Sequence, residues 1–74
     1  MDGENIKNVW ILQAMLKNKK VEWIKKLLAL ISLAHIASRE SVKILENYYK
    51  NPDPKMGFYA RMALEEAKFL AKST

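Results

Sequence analysis

Cysteine is absent from this 74-residue chain. That excludes disulfides, thiolate zinc sites, iron–sulfur ligation and a cysteine nucleophile, and with them a disulfide-stapled secreted mini-protein. Glycine and proline are scarce, two of each, so the chain is neither collagen-like nor of low complexity. Long apolar runs are also missing. The longest apolar-rich stretch, Leu27 to Ala37, is broken by Ser32 and His35 and is about half the length a membrane-spanning helix needs. The opening Met1-Asp2-Gly3-Glu4 is acidic and polar, without the basic region of a secretory leader. A soluble, cytoplasmic protein is expected, with no membrane partner. At this length one domain, residues 1–74, is expected, and its core must come from packing alone unless a partner chain adds to it.

Half of the residues are apolar, which argues against disorder. Thirteen Lys and Arg stand against eight Asp and Glu, a net charge of +5, and all but two of the thirteen are lysine. Lysine acts as a hydrated point charge and lacks the planar fork with which arginine reads phosphates and bases. The densest cluster is Lys17, Lys19, Lys20, Lys25 and Lys26, relieved by Glu22. It is the candidate polyanion contact. Its plainer reading is a solvated helix end and loop.

Asn51-Pro52-Asp53-Pro54 makes one strong interruption, and Asn18-Lys19-Lys20 and Ser38-Arg39-Glu40 make two softer ones. The four segments between them show helical periodicity and no sustained alternation. The first helix is expected from Glu4 to Lys17, with Asp2 as N-cap, Glu4 in the first turn, and Asn18 ending it in the left-handed conformation. Ile6, Val9, Trp10 and Leu16 make its apolar stripe, widened by Leu12 and Met15. The second is expected from Val21 to Ala37, its core stripe formed by Val21, Ile24, Leu27, Leu28, Ile31 and Ala34. Leu30, Leu33 and Ile36 add a further apolar face, which predicts burial on more than one side at the centre of the domain. The third runs from Arg39 to Lys50 with Ser38 as N-cap. Val42, Leu45 and Tyr49 are its expected core, flanked by Ile44 and Tyr48. The fourth runs from Pro54 to Lys72, with Asp53 as N-cap and Pro54 at the first helical position. Met56, Tyr59, Ala60, Ala63, Ala67 and Leu70 share one face, and its alanines allow a close helix approach.

A weak internal repeat appears at a spacing of 31 residues: Ile31-Ser32-Leu33 aligns with Met62-Ala63-Leu64, Ala29 with Ala60 and Ile36 with Ala67. One helical hairpin per unit at this period fits an α-solenoid. The segment Leu33 to Leu45 resembles the turn and second helix of a HEAT repeat, of the short bacterial and archaeal type first recognised in phycobilin lyases. Lys50-Asn51-Pro52-Asp53-Pro54-Lys55-Met56 is similar to that family's Asp-Pro turn, and Ala60, Ala63 and Leu64 occupy its small-residue and leucine positions. The resemblance covers about residues 28–67. It departs from the pattern at Ala34 and Ala37, where the family often has glycine, and at the bulky Phe58 and Tyr59. It implies an all-α fold of four helices packed as antiparallel hairpins, a HEAT-like solenoid fragment; a four-helix bundle is the alternative.

Chemistry is poorly supplied. His35, the only histidine, has Ile31 and Arg39 at four residues' distance and no carboxylate there, so a structural histidine near a helix end is expected rather than a base or metal ligand. The HEAT-like enzymes that bind iron do so through adjacent His-Glu pairs, and none occurs here. Glu65 and Glu66 are adjacent acids, but neighbours on a helix diverge by about 100° and do not face one site. Ser38 and Ser41 have no His–Asp system, and Gly3 and Gly57 are too isolated for a phosphate loop. No enzyme, cofactor or metal is expected. The aromatics are better interface candidates: Trp10, Trp23, Tyr48, Phe58 and Phe69 exceed what one small core buries. A stack of two hairpins leaves open ends, so a homodimer or another protein is expected to cover them. The expected function is protein interaction through a helical surface, with nucleic-acid binding through the lysine cluster as the alternative.

Overall fold

The computed structural model describes the backbone of residues 2–73 and the side chains of residues 9–72. Within them the chain is all-helical, with four α-helices in the order α1 (Asp2–Lys17), α2 (Trp23–Ile36), α3 (Arg39–Lys50) and α4 (Gly57–Ser73). The capping roles expected of Asp2 and Glu4, and the burial expected of Ile6, concern side chains outside the described residues.

The helix ends follow from local chemistry. Asn18 ends α1 with its side chain, its Oδ1 accepting from the Lys20 N–H at 2.9 Å. It does not take the left-handed conformation expected of it; that conformation falls on Ala37 and Lys55. Ala37, at φ 49°, closes α2 by donating its N–H to Leu33 O. Ser38 then caps α3, its Oγ accepting from the Ser41 N–H at 3.0 Å. This is the expected N-cap.

The start of α4 differs from expectation by three residues. Pro54 and Lys55 (φ 67°) form a turn closed by the Met56 N–H on Asp53 O. Proline followed by a positive φ is the pattern of a type II turn. The helix opens at Gly57, with Met56 O accepting from Ala60 N–H. Asp53 does not cap the helix, because its carboxylate is engaged elsewhere.

α2 is central. It packs against α1, α3 and α4, while α3 packs against the other three and α1 touches no part of α4 among the described residues. α1 and α4 therefore flank α2, with α3 beneath. The thinnest dimension, 17 Å, is under two helix diameters of ~10–12 Å each, so one side of α2 has no helix over it. The radius of gyration, 11.3 Å, matches the ~11 Å of a compact chain this long.

The core is Val9 and Leu16 of α1, Ala29, Leu30, Leu33 and Ala34 of α2, Ile44 and Leu45 of α3, then Met56, Ala63, Leu64 and Ala67. Ala60 is also fully buried. The alanines of α4 lie inward as expected, and Ala34 and Ala63 line one groove between α2 and α4. Glu46 and Lys68, 3.8 Å apart, add an exposed tie between α3 and α4.

Two stripes are turned from their expected phase. In α3 the inner face is Ser41, Ile44 and Leu45, with Tyr49 exposed. In α2 it is Lys26, Ala29, Leu30, Leu33 and Ala34. Ile24, Leu28 and Ile31, assigned to the core by periodicity, lie outside.

Candidate functional site

At 100° per residue, Ile24, Leu28, Ile31 and His35 fall on one line along α2, opposite its buried face. The three apolar members are 45%, 58% and 43% exposed. They form a ridge with a groove on each side. Toward α1, Ile11, Leu12, Ile31, Ser32, His35 and Ile36 surround one groove. Toward α4, Leu27, Ile31, Ala34, Tyr59, Met62 and Glu66 line a second of about 310 Å³. Ile31 belongs to both. The second groove continues past Tyr59 to a hollow framed by Trp23, Pro54, Lys55 and Met56. Trp23 thus lies near the start of α4 and Ala34 near its middle, so α2 and α4 run side by side in the same direction.

Together these side chains make a contiguous exposed apolar surface across α1, α2 and α4. Of the interface residues expected from sequence, Trp10, Trp23, Phe58 and Phe69 are exposed, but they are not gathered together. Trp23 and Phe58, whose ring meets Tyr59 edge-on at 5.7 Å, sit at one end of the α2–α4 seam. Trp10 is on α1 and Phe69 far along α4. The residues missed are the aliphatic ones, Ile11, Ile24, Leu28, Ile31 and Met62. For the three on α2 the signal is a helix apolar on two faces, from which periodicity predicts burial on more than one side; Ile11 of α1 and Met62 of α4 carry no such signal.

Tyr48 is corrected. It is half-buried, and its hydroxyl donates to Asp53 Oδ2 at 2.6 Å. The same oxygen accepts from Lys26 Nζ at 2.8 Å, and the Asp53 N–H approaches the Tyr48 hydroxyl at 3.4 Å. This latch joins α2, α3 and the turn before α4. Lys26 differs likewise from the other lysines of its cluster. Its side chain is only 5% exposed, so it is lost to any polyanion. Hydrogen bonding from Lys26 and then Tyr48 holds the Asp53 carboxyl below its ordinary range. Burial, followed by the bond to Asp53, pushes the Tyr48 phenol up to about 12.

Lys17, Lys19, Lys20 and Lys25 remain exposed. Lys17 and Lys19 line a cavity of about 350 Å³ with Gln13, Asn47, Asn51, Tyr48 and Asp53. Lys25 stands apart on α2. The other candidates for chemistry are engaged locally. His35 Nδ1 lies 2.9 Å from Ile31 O, and Glu65 pairs with Arg61 at 3.4 Å. Glu66 lines the α2–α4 groove, so the adjacent acids diverge. Ser41 is buried, its hydroxyl donating to Ser38 O. Among the described residues no group of three or more His, Asp and Glu is placed to hold a metal ion, and no helix is long and apolar enough to cross a membrane.

Comparison with protein-family models, curated proteins and solved structures gives no match.

Proposed function

We propose that this chain is a small, non-enzymatic protein-interaction module of the cytoplasm, acting through the outer face of α1, α2 and α4. The observation that carries the reading is the exposure of Ile24, Leu28 and Ile31 on the central helix. A helix exposes such a row on its most enclosed element only where something else covers it. The HEAT-like reading is supported by the order of packing. Each helix meets its neighbours one and two along the chain, α2 and α4 lie parallel, and α1 does not reach α4 among the described residues. Stacked hairpins pack this way, whereas an up-and-down bundle brings its first helix against its last.

The test is a benzophenone photocrosslinker placed at position 28 in the protein's native cells, with a second placed at position 43. Lys43 is exposed on α3, away from the ridge. Protein adducts at 28 and none at 43, disappearing when Ile24→Ser and Ile31→Ser are introduced together, support the reading. No protein adduct at position 28 overturns it.

The nucleic-acid alternative draws on one observation, that Lys17 and Lys19 face one cavity with two asparagines. Binding through several lysines to phosphates falls steeply with added salt, whereas contact through the aliphatic ridge changes little. With Lys26 withdrawn into the latch, the cluster is one charge weaker.

A further inference from the structure

We infer that the occupant of the α2 ridge is a second copy of this chain, docked about a two-fold axis with the two α2 helices antiparallel. The inference rests on the interaction-surface reading above and names its partner.

Shape is the first reason. A two-fold axis across the helices lays α2 on α2, so Ile24, Leu28 and Ile31 of one copy can interleave with those of the other along the ridge, as an isologous contact allows.

Area is the second. Ile11, Ile24, Leu28, Ile31, Tyr59 and Met62 are each between 37% and 60% exposed. At about 100 Å² apiece they offer roughly 600 Å². Trp23 at the rim, 58% exposed, brings the total near the ~800 Å² per partner of a specific interface.

Charge fixes the direction. Lys55 stands at the Trp23 end of the α2–α4 seam and Glu66 at the Ala34 end. Neither has an ion pair within the chain among the described residues. A two-fold axis perpendicular to the helices lays the Lys55 end of one copy over the Glu66 end of the other, twice. It also sends the Lys19-Lys20 loops to opposite ends of the dimer. A parallel arrangement sets those lysines side by side and leaves Lys55 and Glu66 apart. For a chain of charge +5 the antiparallel arrangement is the one that lowers repulsion.

The test is sedimentation equilibrium from about 5 to 500 µM, with dissociation constants read as affinity ratios. The expected mass is twice 8.6 kDa, falling to one chain on dilution. Leu28→Glu is expected to weaken association on the order of 100-fold, with helicity by circular dichroism unchanged because the side chain lies outside the core. Ile31→Lys is the second variant, should Leu28→Glu fail to fold. Glu66→Lys is expected to weaken association roughly tenfold over the two symmetric pairs, and adding Lys55→Glu to restore it. A mass of 8.6 kDa at the highest concentration overturns the dimer, while the crosslinking experiment judges the surface separately. An unchanged dimer in folded Leu28→Glu overturns this face, and failure of Lys55→Glu to restore Glu66→Lys overturns the antiparallel docking.

Discussion

At the scale of single residues, the latch of Lys26, Tyr48 and Asp53 is asymmetric. Lys26 is enclosed and Asp53 is about one-third exposed. Removing the carboxylate leaves an ammonium group buried without a partner. Asp53→Ala is therefore expected to lower stability by about 3 kcal/mol in urea unfolding. Lys26→Met fills the same space and leaves a carboxylate that water still reaches, so about 1 kcal/mol is expected. Equal losses would mean that the lysine is solvated in the native protein. The latch also sets the pH range of full stability. Asp53 has a lowered native value, so its contribution is present above the ordinary carboxylate value of 3.8 and is lost as pH falls through the native one. Tyr48 has a raised value, so its contribution is full below 10.0 and lost by about 12. Thermal unfolding should show a plateau between these limits. Tyr48→Phe should blunt the alkaline fall and remove the tyrosinate absorbance step near pH 12. None of this was legible beforehand. Asp53 before a proline carries a strong capping signal, and Lys26 sits in a run of lysines; only the tertiary fold brings them within 2.8 Å.

At the scale of elements, α3 was legible because its boundaries are local. Ser38 caps it, Pro52 forbids its extension, and its range is as expected. The phase of α2 was not. Both of its sides are apolar, so the period of 3.6 is satisfied equally by either. The choice is made by contacts distant in sequence. Lys26 turns inward to meet Asp53, and Ala29 and Ala34 bring the neighbouring helices close, leaving the larger Ile24, Leu28 and Ile31 outside. The two sides should respond very differently to truncation. Leu33→Ala, at a fully buried position, is expected to cost about 3 kcal/mol. Leu28→Ala, measured after dilution to the 8.6 kDa mass of one chain, should cost under about 0.5 kcal/mol. Comparable losses would place Leu28 in the folding core and leave the ridge without a binding role. The same ambiguity explains why the site was only partly foreseen. Exposed aromatics on short helices were legible, while exposed aliphatics on a central helix look like core.

At the scale of the whole molecule, the all-helical architecture was legible from four periodic segments and clean breaks. The face over α2 is a property of the assembled molecule, because it takes one ridge and the two neighbours that flank it. If that face is shared between two copies, the melting temperature should rise with protein concentration. It should become independent of concentration in Leu28→Glu. A melting temperature that does not move across the range where the mass doubles would separate assembly from stability.

Among the described residues α1 does not touch α4, and this bears on how the chain reaches its structure. No contact among those residues closes a loop from the first helix to the last. The longest excursions bring together helices two apart, and the latch, spanning 27 residues, is among them. Low contact order of this kind gives fast folding, on a scale of about a millisecond or less. It also lets the chain open in stages. α1, the helix with the fewest contacts, should exchange its amide hydrogens before α2 and α3, each of which meets three neighbours.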